Sequence, residues 1–226
     1  MDHRKYGGRI DYMDPKLGRL GQEWFTVTVQ PDGCRTLRAF CQVDKSDLLR
    51  DVTYSMDGQW RPLDCFVRLE QKGKFTGSGW FHFTDTAIEC ETFTADAGRV
   101  SQRVELGTRL KIFASHPLIT DGWQCKMFDH KNPEKVQVIA PWAHPSPLPD
   151  GSTGPMTGVG IKKLEYIGEE EIEVPAGRFK CRRYDIHASN PANPPMNTWV
   201  HGDDYQLVKM HWSLRQFDYV LAEYNR

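Results

Sequence analysis

The chain has 226 residues, enough for one sizeable core, and its 29 basic and 30 acidic residues leave a net charge of -1. That balance excludes the one-signed electrostatic footprint of a nucleic-acid or anionic-membrane binder. No apolar run reaches the roughly 20 residues of a bilayer-spanning helix, and the opening Met1-Asp2-His3-Arg4-Lys5-Tyr6 lacks the apolar stretch of a secretory signal, so a cytoplasmic protein with no membrane partner is expected.

Residues 1–20 read as an N-terminal arm, and 21–106 as a long β-meander. Glu23 to Gln30 is aromatic and β-branched, and Pro31-Asp32-Gly33 turns it into Cys34 to Val43. Leu48 to Met56 follows, and Asp57-Gly58, a dipeptide suited to a tight hairpin, leads to Trp60 to Glu70. Lys74 to Phe83, Thr86 to Thr94 and Arg99 to Leu106 continue the pattern between short turn signals. Periodicity is then lost over 107–155, which is expected to be a helix or loop plug. Leu110, Phe113, Ala114 and Leu118 could share one helical face before His116-Pro117 disturbs it. Pro141 to Pro155 is so rich in proline and glycine that a long loop is expected.

Closing strands occupy 156–226: Met156 to Glu173, Arg178 to Ala188, Thr198 to Val200, Tyr205 to Ser213 and Asp218 to Tyr224. About twelve strands in one flat sheet would leave vulnerable edges, so a strongly curved antiparallel barrel or half-barrel forming a single domain is expected. Six cysteines stand singly with no C-x-x-C pair, which reads as reduced, buried thiols.

Within this frame, Val174-Pro175-Ala176-Gly177-Arg178-Phe179 opens a strand, and Trp199-Val200 with Leu207-Val208-Lys209-Met210 closes a hairpin. This last third, together with the meander style, resembles a bacterial domain-of-unknown-function family. That family is in turn similar to periplasmic lipoprotein carriers. The resemblance implies a curved half-barrel around a short helical or loop plug. The opening residues read as neither an export signal nor a lipoprotein leader, which departs from the family's pattern, so an envelope role is not expected.

Motifs for an acyl-transfer serine, a zinc protease, a phosphate loop or a dinucleotide site are absent, and no histidine pair has metal-ligand spacing, so neither cofactor nor metal is expected. Acid/base work by histidine remains, with His82, His116 and His144 as candidates. His82 shares a face with Trp80, while Phe81 and Phe83 share the other, which suggests a dry environment. His116 sits in the plug and His144 in the proline-rich loop. Tyr54, Trp80, Trp123 and Trp142 could wall a pocket for a flat ligand, with Arg38 and Arg103 meeting an anionic group. Two functions fit. One is a cofactor-independent carbon–carbon or carbon–oxygen lyase acting on a small aromatic substrate. The other is a carrier or sensor of an apolar ligand, and in either case sheet edges could pair two copies. On no single motif, the chain is also similar to bacterial lyases that release formaldehyde from lignin-derived aromatic dimers.

Overall fold

Side chains along most strands alternate between buried and exposed positions, and an antiparallel sheet with one wet face requires that period of two. The computed structural model describes residues 2–146, 153–188 and 192–226. Its strands are β1 (Arg4–Asp14), β2 (Gly18–Val29), β3 (Arg35–Val43), β4 (Leu48–Met56), β5 (Pro62–Gln71), β6 (Lys74–Phe83), β7 (Ala87–Thr94), β8 (Gly98–Glu105) and β9 (Ile112–Phe113). The helix α1 (Ile119–Gln124) precedes β10 (Val136–His144), β11 (Gly158–Val174), β12 (Gly177–His187), β13 (Met196–His201), β14 (Gln206–Trp212) and β15 (Phe217–Asn225).

All fifteen belong to one unclosed sheet in the order β8-β7-β6-β5-β4-β3-β2-β1-β15-β14-β13-β12-β11-β10-β9. Every pairing is antiparallel except the two-residue parallel contact of β9 with β10. The register shifts in the β1–β2, β5–β6, β10–β11, β11–β12 and β13–β14 pairings, where extra residues such as Leu20, Thr76, Ile167 and Val208 form bulges that add local twist and bend the sheet. The result is the expected mainly β, strongly curved architecture. At the open seam, the backbone N–H of Thr157 donates to Oε1 of Gln102 on β8 at 2.9 Å. The β8 edge presents Arg99, Ser101, Arg103 and Glu105 outward, charges that discourage addition of a further strand.

The hollow is filled from within. Trp123 of α1 has no exposed area and lies 6.0 Å from Tyr54 and 5.8 Å from Trp60, ring centre to ring centre. Burying a large apolar side chain of this kind contributes about 1.5–3 kcal/mol. The helix fits because Gly122 has no side chain. A Cβ there would stand 2.6 Å from the Tyr205 carbonyl oxygen and 3.2 Å from Leu207 on β14. Glycine-to-alanine in an exposed helix stabilises by about 1 kcal/mol. At Gly122 the backbone clash outweighs that gain, so Gly122→Ala is expected to lower the unfolding free energy by about 1–3 kcal/mol; a raised melting temperature would show that the plug does not pack this tightly.

Several local expectations change. The supposed arm is strand β1 and the start of β2, hidden by the outlier dipeptide Gly7-Gly8. Asp57-Gly58 does not make a two-residue hairpin, because Met56 pairs with Pro62 and the left-handed residue is Trp60 (φ 64°). The Asp57 carboxylate instead accepts the N–H groups of Gln59 and Arg61. The apolar residues Leu110, Phe113 and Ala114 do not form a helix; Phe113 is in β9, and the helix begins only after Pro117, whose ring suits the turn leading into α1. Pro141 lies inside β10, at a break in its register between Ile139 and Trp142 where no ladder N–H is required. Residues 147–152 of the proline-rich stretch, and 189–191, lie outside the described residues. All six cysteines are free thiols, and five are buried. Among the described residues no helix is long and apolar enough to cross a membrane.

Candidate active site

The inward positions of β2 are Gly21, Glu23, Phe25, Val27 and Val29, and those of β4 are Leu48, Arg50, Val52, Tyr54 and Met56. Each strand thus turns one charged side chain into the core. Glu23 is 0 % exposed. Its Oε2 accepts the Leu118 N–H at 2.6 Å and its Oε1 the Ile119 N–H at 3.1 Å, so this carboxylate holds the start of the plug helix. Tyr12 Oη and Cys41 Sγ also donate to Oε2, at 3.3 and 3.6 Å. Burial nevertheless outweighs these hydrogen bonds and pushes the Glu23 carboxyl up to about 7.

The residues held by Glu23 carry His116 two positions earlier. His116 adopts φ 78°, a left-handed conformation that is uncommon for a side-chain-bearing residue and disfavoured further before a proline. Its Nε2 is shut off from solvent and has no hydrogen-bond partner among the described residues. Burial, with Arg50 and His144 nearby, pushes its pKa well below the usual histidine value. A left-handed backbone and an unpartnered buried nitrogen both cost stability, and His116 combines the two.

Towards the partly exposed rim, Trp142 Nε1 donates to Gln124 Oε1 at 3.0 Å, and the His144 ring lies 4.9 Å from Trp142. Gly158 makes room for that ring, since a Cβ there would come within 2.4 Å of it. Lys162 Nζ sits 4.5 Å from the centre of the Trp142 ring. Burial lowers the pKa of both His144 and Lys162 and raises Asp121 to about 7, with Lys162 opposing the latter shift. Glu23, Arg50, His116, His144, Lys162 and Asp121 form a chain of electrostatic neighbours. Burial thus raises two carboxyls to about 7 and keeps the His116 imidazole uncharged within this one cluster.

The sequence candidates divide between the two faces. His116, His144, Trp142, Trp123 and Tyr54 are inside or at the rim, but Tyr54 and Trp123 pack against one another and frame no space. His82, Trp80, Arg38 and Arg103 are on the outer face. Trp80 is 44 % exposed, and His82 stacks on it at 5.4 Å with Nδ1 3.2 Å from Glu89. Arg103 also pairs with Glu89. The dry environment expected for His82 is therefore corrected: Phe81 and Phe83 take the core face, and their neighbours on the strand face water. Sequence reasoning missed Glu23, Arg50, Asp121 and Lys162. For the first two the signal was there, as a charge at a core-parity position.

Comparison with solved structures finds the same architecture in the crystal structure of a β-barrel-like protein of a domain of unknown function, DUF1849, from Brucella abortus. The two align with a TM-score of 0.54 at 10 % identity, over 99 % of this chain and 96 % of that one. The fold is shared. Identity at this level carries nothing about chemistry. No family model matches the chain, and no curated protein does.

Proposed function

We propose that the protein is a cytoplasmic, cofactor-independent lyase that moves protons on a small aromatic substrate at the plug end of the half-barrel. The observation that supports this most is His116, strained, desolvated and unpartnered beside Arg50. With its pKa held down, its imidazole is neutral at physiological pH and has a lone pair to accept a proton. At the rim Lys162 lies over the Trp142 ring, so a cation and an aromatic group stand together there.

A formaldehyde-releasing step fits these groups. His116 takes the proton of a primary alcohol, and the oxygen's electron pair forms the C=O of formaldehyde as the adjacent carbon–carbon bond breaks. The pair from that bond becomes a double bond conjugated with the ring and expels an oxygen leaving group. Arg50 steadies the charge developing there, and the expelled oxygen takes the proton back from His116. The test is to incubate chelator-stripped protein with a diaryl compound bearing a hydroxymethyl group and, on the carbon next to the one that carries it, an oxygen leaving group, and to assay formaldehyde. One equivalent per substrate consumed is expected. Release no faster than in buffer, or strict dependence on an added metal, would overturn the reading.

A further inference from the structure

The outer face of the sheet carries a second feature, remote in the fold from the interior cluster. Successive register partners place Gly7, Thr26, Arg38, Thr53 and Phe66 in one row across β1 to β5. The adjoining row is Arg9, Trp24, Phe40 and Asp51. The first row is low where it consists of glycine and threonine and the second is tall with aromatic rings, so a groove of about 780 Å³ runs along the first row with the second as one of its walls. A small-molecule site typically measures about 300–1,000 Å³. Four inter-strand spacings make the groove roughly 19 Å long.

Its surface is unusual for water-facing sheet. Trp24, Phe40 and Phe66 are 41 %, 37 % and 43 % exposed, and each is within the groove wall or at its end. Trp24 is held by the Arg9 guanidinium, 5.2 Å from the ring centre, and Arg9 is itself tied to Asp11 and Glu223. Large exposed rings gathered along one channel mark a binding surface. The charges select the occupant. Lys5, Arg38 and Arg226 line the groove against the single carboxylate of Asp51. Neither Lys5 nor Arg38 has an ion pair among the described residues, although this surface is otherwise laced with them.

We propose that this outer groove binds a flat aromatic carboxylate. Its ring lies against Trp24, Phe40 and Phe66, and its carboxylate meets the Arg38 guanidinium, whose planar fork can donate two hydrogen bonds to it. The site stands independently of the interior chemistry.

Titration calorimetry with naphthalene-2-carboxylate tests it. Saturable one-to-one binding is expected, weakening as salt rises because exposed charges contribute. Arg38→Gln should weaken it about tenfold. Thr26→Trp, which fills the floor of the groove at a position where a large aromatic residue suits a strand, should abolish binding while the melting temperature holds. His116→Asn should leave binding unchanged. Three results would overturn the proposal: no heat of binding up to millimolar ligand, equal affinity for octanoate, or binding that survives Thr26→Trp and disappears in His116→Asn.

Discussion

Glu23→Ala is expected to lower the unfolding free energy by about 3 kcal/mol or more, since it strands the buried N–H groups of Leu118 and Ile119, at about 1–3 kcal/mol each. Chemical denaturation measures this directly, and a loss under 1 kcal/mol would mean that the plug is not pinned at Glu23. Glu23→Gln keeps an acceptor and removes the titration. The folded carboxyl is raised from 4.5 to about 7, so between those pH values the folded state holds a proton that the unfolded state has released. Its contribution to stability is therefore full below pH 4.5 and is lost as pH rises through 7. A shift of this size amounts to about 3 kcal/mol, and the advantage of the wild type over Glu23→Gln should shrink by that order between pH 4.5 and 8. Asp121, Arg50, Tyr12, Cys41 and His116 surround the site in both proteins, so their own titrations largely cancel in the difference. A difference that stays flat with pH would show Glu23 titrating normally.

His116→Asn is expected to reduce kcat/KM for formaldehyde release by about 10²–10⁴-fold, the usual contribution of a general base. Asparagine tolerates the left-handed backbone of this position, so the loss should come with an unchanged melting temperature. The wild-type pH profile supplies a second check. Because burial depresses the His116 pKa, activity should hold as pH falls through 6.5, where an ordinary histidine would be losing its lone pair. An acid limb near 7 would instead assign the proton transfer to Glu23 or Asp121, whose carboxyls are raised to about that value. Full activity in His116→Asn would remove the histidine from the chemistry.

Most strands were legible because a two-residue alternation of apolar and polar side chains has one structural meaning wherever one face is buried. Boundaries such as Leu48–Met56 and Lys74–Phe83 coincide with the expectation to the residue. The failures have local causes. In β1 the alternation is broken by Gly7 and Gly8, and β10 contains a proline that a bulge accommodates. Nothing short of the tertiary context reveals either. His82 was misplaced because aromatic residues on both faces of β6 leave parity undecided; Glu89, its cross-strand partner, shows which face is wet. Glu23 and Arg50 were readable in principle, since a lone charge among core-parity residues must find a partner or a purpose. The meeting of His116 with Arg50 and His144 was not, because three distant segments converge there.

One pairing in the sheet stands apart: β1 against β15 joins the two ends of the chain, while every other antiparallel neighbour is also a neighbour in sequence. Gly7 faces Asn225, and Arg4 lies three residues, or roughly 10 Å, farther along. A short linker could therefore join Arg226 to Arg4, and a new opening at Gly107 would turn the protein into a circular permutant with no long-range strand pairing left to find. Such a rewired chain should fold faster than the natural one, since the slow search that unites the ends would be replaced by a local hairpin.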